Sequence, residues 1–267
     1  VNSILLAFLL TLIAGLSTGI GSAIAFFAKK TNTKFLSISL GFSAGVMIYV
    51  SMIEIFSEAR NLLTAELGTK TGYLITVISF FLGMLIIALI DKLIPSAENP
   101  HEVYKIEEIE DNCIRKNAKL LRTGLFIAFA ITIHNFPEGI AAFISSLQHP
   151  KLAIPVIIAI SIHNIPEGIA VSFPIYYATG SRRKAFLFSL LSGLSEPLGA
   201  LVGYLVLMPF INDVVFGIVF AAVAGIMVFI SLDELLPSAE EYGEHHLCIY
   251  GLVSGMIIMS ISILLFV

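Results

Sequence analysis

Residues 131–143 read ITIHNFPEGIAAF, and residues 160–173 read ISIHNIPEGIAVSF. His, Asn, Pro, Glu and Gly recur in one order and at one spacing, each time inside an otherwise apolar run. His134 and Glu138 are four residues apart, as are His163 and Glu167, so on a helix each pair shares one face. Pro137 cannot donate to the Ile133 carbonyl, nor Pro166 to that of Ile162. Each helix is therefore expected to bend, with a bare carbonyl near the polar side chains. Within a bilayer, such backbone is tolerated only where it lines a cavity or is covered by protein. Gly139 and Gly168 predict close approach by a further helix.

The rest of the chain supplies the bilayer. Of its 267 residues 57% are hydrophobic and 13% charged, with a mean hydropathy of +0.96. A soluble domain carries roughly a quarter of its residues as charges, so this composition places the chain in a membrane. A spanning helix needs about 20 mostly apolar residues. Eight runs qualify, at about 3–28, 35–57, 71–92, 123–147, 152–178, 185–209, 214–236 and 247–267, forming one transmembrane domain. The first is too long for a cleaved signal peptide and is expected to remain as a span.

Lys and Arg set the orientation. With the N-terminus outside, the inner loops and flanks hold Lys29, Lys30, Lys34, Lys92, Lys105, Arg115, Lys116, Lys119, Arg122, Arg182, Arg183 and Lys184, against Arg60, Lys70 and Lys151 outside. Both termini are thus expected to face outward, in the plasma membrane. Cys113 and Cys248 then fall on the reducing side, where a structural disulfide is not expected. No basic patch suggests nucleic acid, and no phosphate-cradling Gly-rich loop suggests an ATP-driven pump.

The chain also repeats on a longer scale. AGVMIYVSMIEIF (44–56) aligns with AGIMVFISLDELL (224–236), and GLSTGIG (15–21) with GLSEPLG (193–199). Opposite topology makes the repeat inverted. The layout becomes three spans, a central pair carrying the HNxPEG motifs, and three spans. Inverted repeats meeting at a midplane site characterise alternating-access carriers.

His134 lies twelve residues past Arg122, and His163 twelve past Lys151 from the other side. At 1.5 Å per residue that is about 18 Å into a core about 30 Å thick. Both motifs should reach the midplane. Glu196, the lone ionisable residue of its span, lies twelve past Lys184 and joins them. Buried carboxylates that converge cost several kcal/mol unless a cation neutralises them. Imidazole nitrogen with carboxylate oxygen and no thiolate suits Zn²⁺, Fe²⁺, Mn²⁺, Co²⁺ or Cd²⁺ and disfavours Cu⁺. Asn135 and Asn164 point about a quarter-turn from the histidines, toward either a second metal position or cross-helix hydrogen bonds.

Paired HNxPEG motifs in consecutive spans of an eight-span chain resemble the ZIP (Zrt-, Irt-like protein) family of divalent metal transporters. The resemblance covers essentially the whole chain. It implies metal import into the cytoplasm, a binuclear site between the fourth and fifth spans, and a homodimer. Carried over residue by residue, it implies His134, Asn135, Glu138, His163, Asn164, Glu167 and Glu196 as metal ligands. Zn²⁺ is the expected cargo, with no prosthetic group.

Where many relatives carry a His-rich loop after the third span, this chain has the acidic loop 93–122, expected to be a solvated linker, with a weak metal antenna as the alternative. The inner ends of the third and seventh spans read IDKLIPSAE (90–98) and LDELLPSAE (232–240). Asp91, Asp233 and Glu234 are candidates for an inner exit, with His245 and His246 nearby in sequence. Glu54 and Glu58 are candidates for an outer mouth. A membrane potential favours inward movement by about 4.6 kcal/mol for a divalent ion per 100 mV. Two rival readings remain. One is a metal-selective channel. The other is an embedded protease, but it lacks HExxH and would need a serine–histidine dyad from Ser192, Ser195 and His163.

Overall fold

The computed structural model of the chain describes residues 3–27, 33–93, 113–148, 150–210, 212–242 and 245–264; the side chains of Asp91 and His134 lie outside this description. Every regular element among these residues is helical. With no water in the hydrocarbon, a helix satisfies its own backbone donors and acceptors. The α-helices are α1 (Ser3–Phe27), α2 (Thr33–Val50), α3 (Phe56–Leu67), α4 (Thr69–Leu93), α5 (Cys113–Gln148) and α6 (Pro150–Thr179). They are followed by α7 (Arg182–Gly193), α8 (Ser195–Val202), α9 (Asp213–Ile230), α10 (Leu236–Tyr242) and α11 (His245–Leu264).

Among the described residues, seven helical stretches are long and apolar enough to cross a membrane: Ser3–Ala23, Ser37–Leu67, Thr69–Ile90, Val156–Thr179, Arg182–Val206, Asp213–Glu240 and His245–Leu264. The chain is a polytopic, all-helical integral membrane protein. These stretches match seven of the eight expected spans. The fourth expected span, 123–147, lies within the 36-residue helix α5, which is not among the seven.

Several boundaries differ from expectation. The second span runs on to Leu67 because α3 still buries Ala59 and Leu63 against α4 and α9. Only Gly68 separates α3 from α4. Its φ of 81° is open to glycine without the penalty a Cβ would bring. The sixth span is divided at Leu194 and ends in a π-helical turn, Gly203–Leu207. Helix α5 begins ten residues before 123, and residues 94–112 of the acidic loop lie outside the described part. Helices α5 and α6 both continue through their HNxPEG prolines.

Packing follows the repeats. Helices α1, α5, α6, α7 and α8 pack among themselves; α2 pairs with α11, and α4 with α3 and α9. At the crossings, glycines let backbones touch. A Cβ on Gly21 would lie 1.9 Å from the Ile165 carbonyl oxygen, and one on Gly199 2.1 Å from that of Phe136. A Cβ on Gly168 would lie 1.9 Å from Thr18 O, and one on Gly139 2.0 Å from Glu196 O. These are two contacts, each made twice. Gly21 to Gly199 and Thr18 to Glu196 are shifts of 178, while Phe136 to Ile165 and Gly139 to Gly168 are shifts of 29.

The outer helices obey the same rule. Gly45 meets the Leu252 carbonyl and Gly225 that of Phe80, each 2.0 Å from an added Cβ. Gly255 meets Phe42 O at 2.2 Å and Gly83 meets Ala222 O at 2.0 Å. Here α2 maps to α9 by 180 and α4 to α11 by 172. The second mapping pairs GMLI (83–86) with GMII (255–258), a match too short to stand out in apolar sequence. Two further π-helical turns, Ser51–Ile55 after α2 and Ser231–Leu235 after α9, are also 180 apart. Gly15 and Gly193, themselves 178 apart, pack against each other: a Cβ on either would lie 2.4 or 2.2 Å from the other's oxygen.

Candidate metal centre

The two HNxPEG helices pack against each other and against α1 and α7, with α8 also against α5 and α2 also against α6. Glycine contacts set this spacing, because Gly139 presses on the backbone of Glu196 and Gly168 on that of Thr18. Polar side chains are thereby sealed inside the bundle. Asn135, His163, Asn164, Glu167 and Glu196 are fully buried, and Glu138 is 2% exposed. All six are thus enclosed by protein, as side chains that could share a buried centre must be.

The imidazole of His163 faces across the crossing. Its Nε2 is 3.0 Å from Oε1 and 3.2 Å from Oε2 of Glu138, so the ring N–H donates to a carboxylate of the neighbouring helix. Helical spacing put His163 on one face with Glu167, and the cross-helix partner could not be read from it. Behind the ring, Ser43 of α2 donates to the His163 carbonyl at 3.3 Å. A change of 29 maps His163 and Glu138 onto His134 and Glu167. The His134 side chain lies outside the described residues, and Glu167 is buried one turn beyond His163.

Both asparagines make cross-helix hydrogen bonds. Asn164 Nδ2 donates to the Ala14 carbonyl of α1 at 2.9 Å, and Asn135 Nδ2 to the Ser192 carbonyl of α7 at 3.4 Å. Ala14 and Ser192 are 178 apart, so this is again one contact made twice. A carbonyl only accepts, so it fixes which end of each amide is nitrogen. Asn164 Nδ2 also donates to Glu196 Oε1. Asn135 Oδ1, Asn164 Oδ1 and Glu196 Oε2 have no hydrogen-bond partner among the described residues. Buried oxygens without donors suit a cation, since leaving them unpaired is costly.

Among the described residues no three His, Cys, Asp or Glu side chains form a group that could hold a metal ion. The described donors meet in two pairs, Glu138 with His163 and Asn164 with Glu196. The suggested serine dyad is absent too: Ser192 Oγ donates to the Ser189 carbonyl at 2.8 Å and Ser195 Oγ to that of Ser192 at 2.6 Å.

The candidate mouth residues stand on other elements. Glu54 occupies the π-turn after α2, with Glu58 one turn on in α3; both are half-buried. Asp233, half-buried, and Glu234, 8% exposed, occupy the matching turn after α9, which packs on α2. The Asp91 side chain lies outside the described residues. His245 pairs with Glu240 at 2.6 Å on an exposed surface. Cys248 is a free, buried thiol. Ser43, Thr18 and the carbonyls of Ala14 and Ser192 went unnoticed in the sequence. Ala14 and Ser192 stand one residue before the stretches that align at an offset of 178.

Comparison with known proteins gives the same family as the motif. A family model described as ZIP Zinc transporter matches residues 96–263. The chain is 62% identical over 278 aligned residues to a Clostridium perfringens protein named Zinc transporter ZupT, covering 100% of this chain and 98% of that one. It is 66% identical over 261 residues to the Streptococcus mutans protein of that name, covering 98% and 97%. It is 63% identical over 265 residues to the one from Chlorobaculum parvum, covering 99% of each. With identity of this order running the length of the chain, it belongs to the ZIP zinc-transporter family, a family of transporters and not of enzymes.

Proposed function

We propose that the protein imports divalent transition-metal ions, Zn²⁺ above all, by alternating access through the buried centre between α5 and α6. The observation that carries this reading is the doubled Asn-to-carbonyl contact. It holds two HNxPEG motifs in equivalent settings and leaves amide oxygens without donors beside buried carboxylates. His134, Asn135, Glu138, His163, Asn164, Glu167 and Glu196 form a binuclear site. Fe²⁺, Mn²⁺, Co²⁺ and Cd²⁺ fit the same donors less selectively. Metal arrives past Glu54 and Glu58 and leaves past Asp91, Asp233 and Glu234.

Eight spans in a three-two-three inverted arrangement, with both termini outside the plasma membrane, accommodate the paired glycine contacts and paired π-turns. The relatives' printed name, zinc transporter, favours Zn²⁺. The protein works as a homodimer, as the family resemblance suggests, and needs no prosthetic group. Uptake of Zn²⁺ into proteoliposomes, with Fe²⁺, Mn²⁺, Co²⁺ and Cd²⁺ as competitors, tests the proposal. Saturable, slow, Zn²⁺-preferring flux supports it. Unsaturable fast flux would indicate a channel, and no flux would refute transport.

A further inference from the structure

Thr18 is a fully buried threonine whose hydroxyl behaves unlike those of five other threonines. Thr11, Thr64, Thr76, Thr132 and Thr179 each donate to the carbonyl four residues earlier, at 2.9, 2.8, 2.8, 2.7 and 2.7 Å. Thr18 Oγ1 has no hydrogen-bond partner among the described residues. Its ordinary acceptor would be the Ala14 carbonyl. That oxygen already accepts from Ser17 Oγ at 2.6 Å and from Asn164 Nδ2 at 2.9 Å. A buried hydroxyl deprived of its helical acceptor calls for another partner.

The internal symmetry says where that partner lies. Thr18 and Glu196 are related by the shift of 178, as are Ala14 and Ser192; Asn135 and Asn164 are related by 29. Asn164 donates both to Ala14 O and to Glu196. In the mirrored setting Asn135 donates to Ser192 O, and the place of Glu196 is taken by Thr18. The hydroxyl sits beside that setting: a Cβ on Gly193, next to Ser192, would lie 2.7 Å from Thr18 Oγ1. Thr18 O, meanwhile, lies against Gly168, the residue after Glu167. Thr18 is thus wedged between segments that carry both motifs' supports.

We propose that Thr18 is a specificity-determining residue of the metal path, supplying a neutral oxygen where the symmetry would place a fourth carboxylate. The proposal rests on the transport reading above. His134 with His163, Asn135 with Asn164 and Glu138 with Glu167 are equivalent pairs, so Glu196 against Thr18 is the one asymmetry in the donor set. Three carboxylates do not neutralise two divalent ions; four would, and would release them slowly. A threonine oxygen ends two bonds nearer the backbone than a glutamate oxygen. It therefore reaches a metal through a water molecule and marks the side on which the ion keeps part of its hydration.

The test uses the full-length protein, with equilibrium Zn²⁺ binding in detergent and Zn²⁺ uptake in proteoliposomes. Thr18→Ser keeps the hydroxyl and is expected to match the parent. Thr18→Val keeps the shape without the hydroxyl and is expected to weaken apparent Zn²⁺ affinity by about 10- to 100-fold. Thr18→Glu is expected to bind more tightly, turn over more slowly, and shift competition toward Mn²⁺, which favours hard oxygen donors. Glu196→Thr is expected to lose uptake, and the exchange variant Thr18→Glu with Glu196→Thr to regain much of it. Thr18→Val with parental affinity and rate, together with no recovery by the exchange, would overturn the proposal. Should the glutamate variants fail to fold, the near-isosteric Ser and Val pair decides alone. If the parent protein moves no metal, the transport reading fails instead; silent Thr18 variants beside inactive Glu138→Ala leave that reading standing.

Discussion

Asn164 shows how one side chain can serve fold and chemistry together. Its amide nitrogen ties α6 to the α1 backbone and to Glu196, while its oxygen is left without a donor among the described residues. Glu138 and His163 form the other described pair, and replacing either by Ala is expected to reduce Zn²⁺ uptake by at least about 100-fold, with the helical content unchanged by circular dichroism. In the proposed site, metal competes with protons for the imidazole nitrogen of His163. Apparent affinity should therefore weaken as pH falls through the histidine range, near 6.5 for an unperturbed imidazole; affinity constant from pH 8 to 5.5 would contradict neutral histidine ligands. That Glu138, His163, Glu167 and Glu196 are enclosed in the bundle was legible in the sequence, because ionisable residues rarely enter apolar runs unless protein covers them. Their partners were not: Ala14 and Ser192 contribute carbonyls, and every residue has one.

Elements were legible where hydrophobic length decides and illegible where geometry does. Seven of the eight expected spans reappear as long apolar helices among the described residues. The π-turns at Glu54 and Glu234 involve ordinary helix-forming residues, so nothing in composition marks them, whereas the break at Leu194 follows Gly193 and precedes Pro197, which cannot donate to the Gly193 carbonyl. Likewise, the α4–α11 correspondence rests on a four-residue match and emerges only from contacts. Glycine positions carry graded expectations. Gly139→Ala drives a methyl group to 2.0 Å from a backbone oxygen, whereas Gly19→Ala meets the tip of Leu190 at 3.3 Å. The first is expected to destabilise the protein by about 1–3 kcal/mol, and the second much less, as measured by thermal unfolding in detergent. Equal effects would mean that the α5–α8 crossing yields more easily than its backbone contact implies.

For the whole molecule the informative quantity is sidedness. Glu54 and Glu234 occupy matching π-turns, and the inverted repeat proposed above would put them at opposite mouths. Single cysteines at these positions, with Cys113 and Cys248 replaced, are expected to label from opposite faces with an impermeant thiol reagent. Saturating Zn²⁺ should change the two labelling rates in opposite directions. Labelling of both from one face would remove the inverted topology along with the assignment of mouths. Lys and Arg placement is the ground for expecting this orientation. The packing of α5 and α6 with α1, α7 and α8 could not be foreseen, because it depends on which glycines meet which carbonyls.

Gly15 and Gly193 rest on each other, each being the other's repeat equivalent. A residue that touches its own counterpart is what a two-fold axis produces, whether or not the halves are joined. Two separate copies of a half-length chain, one inserted upside down, could have made this contact before any linker existed. In such a pair every inherited change strikes both halves at once, so the two mouths stay alike. Fusion ends that constraint and lets each half keep its own heritage. Thr18 and Glu196, at matching positions, would be one place where the two halves differ in charge.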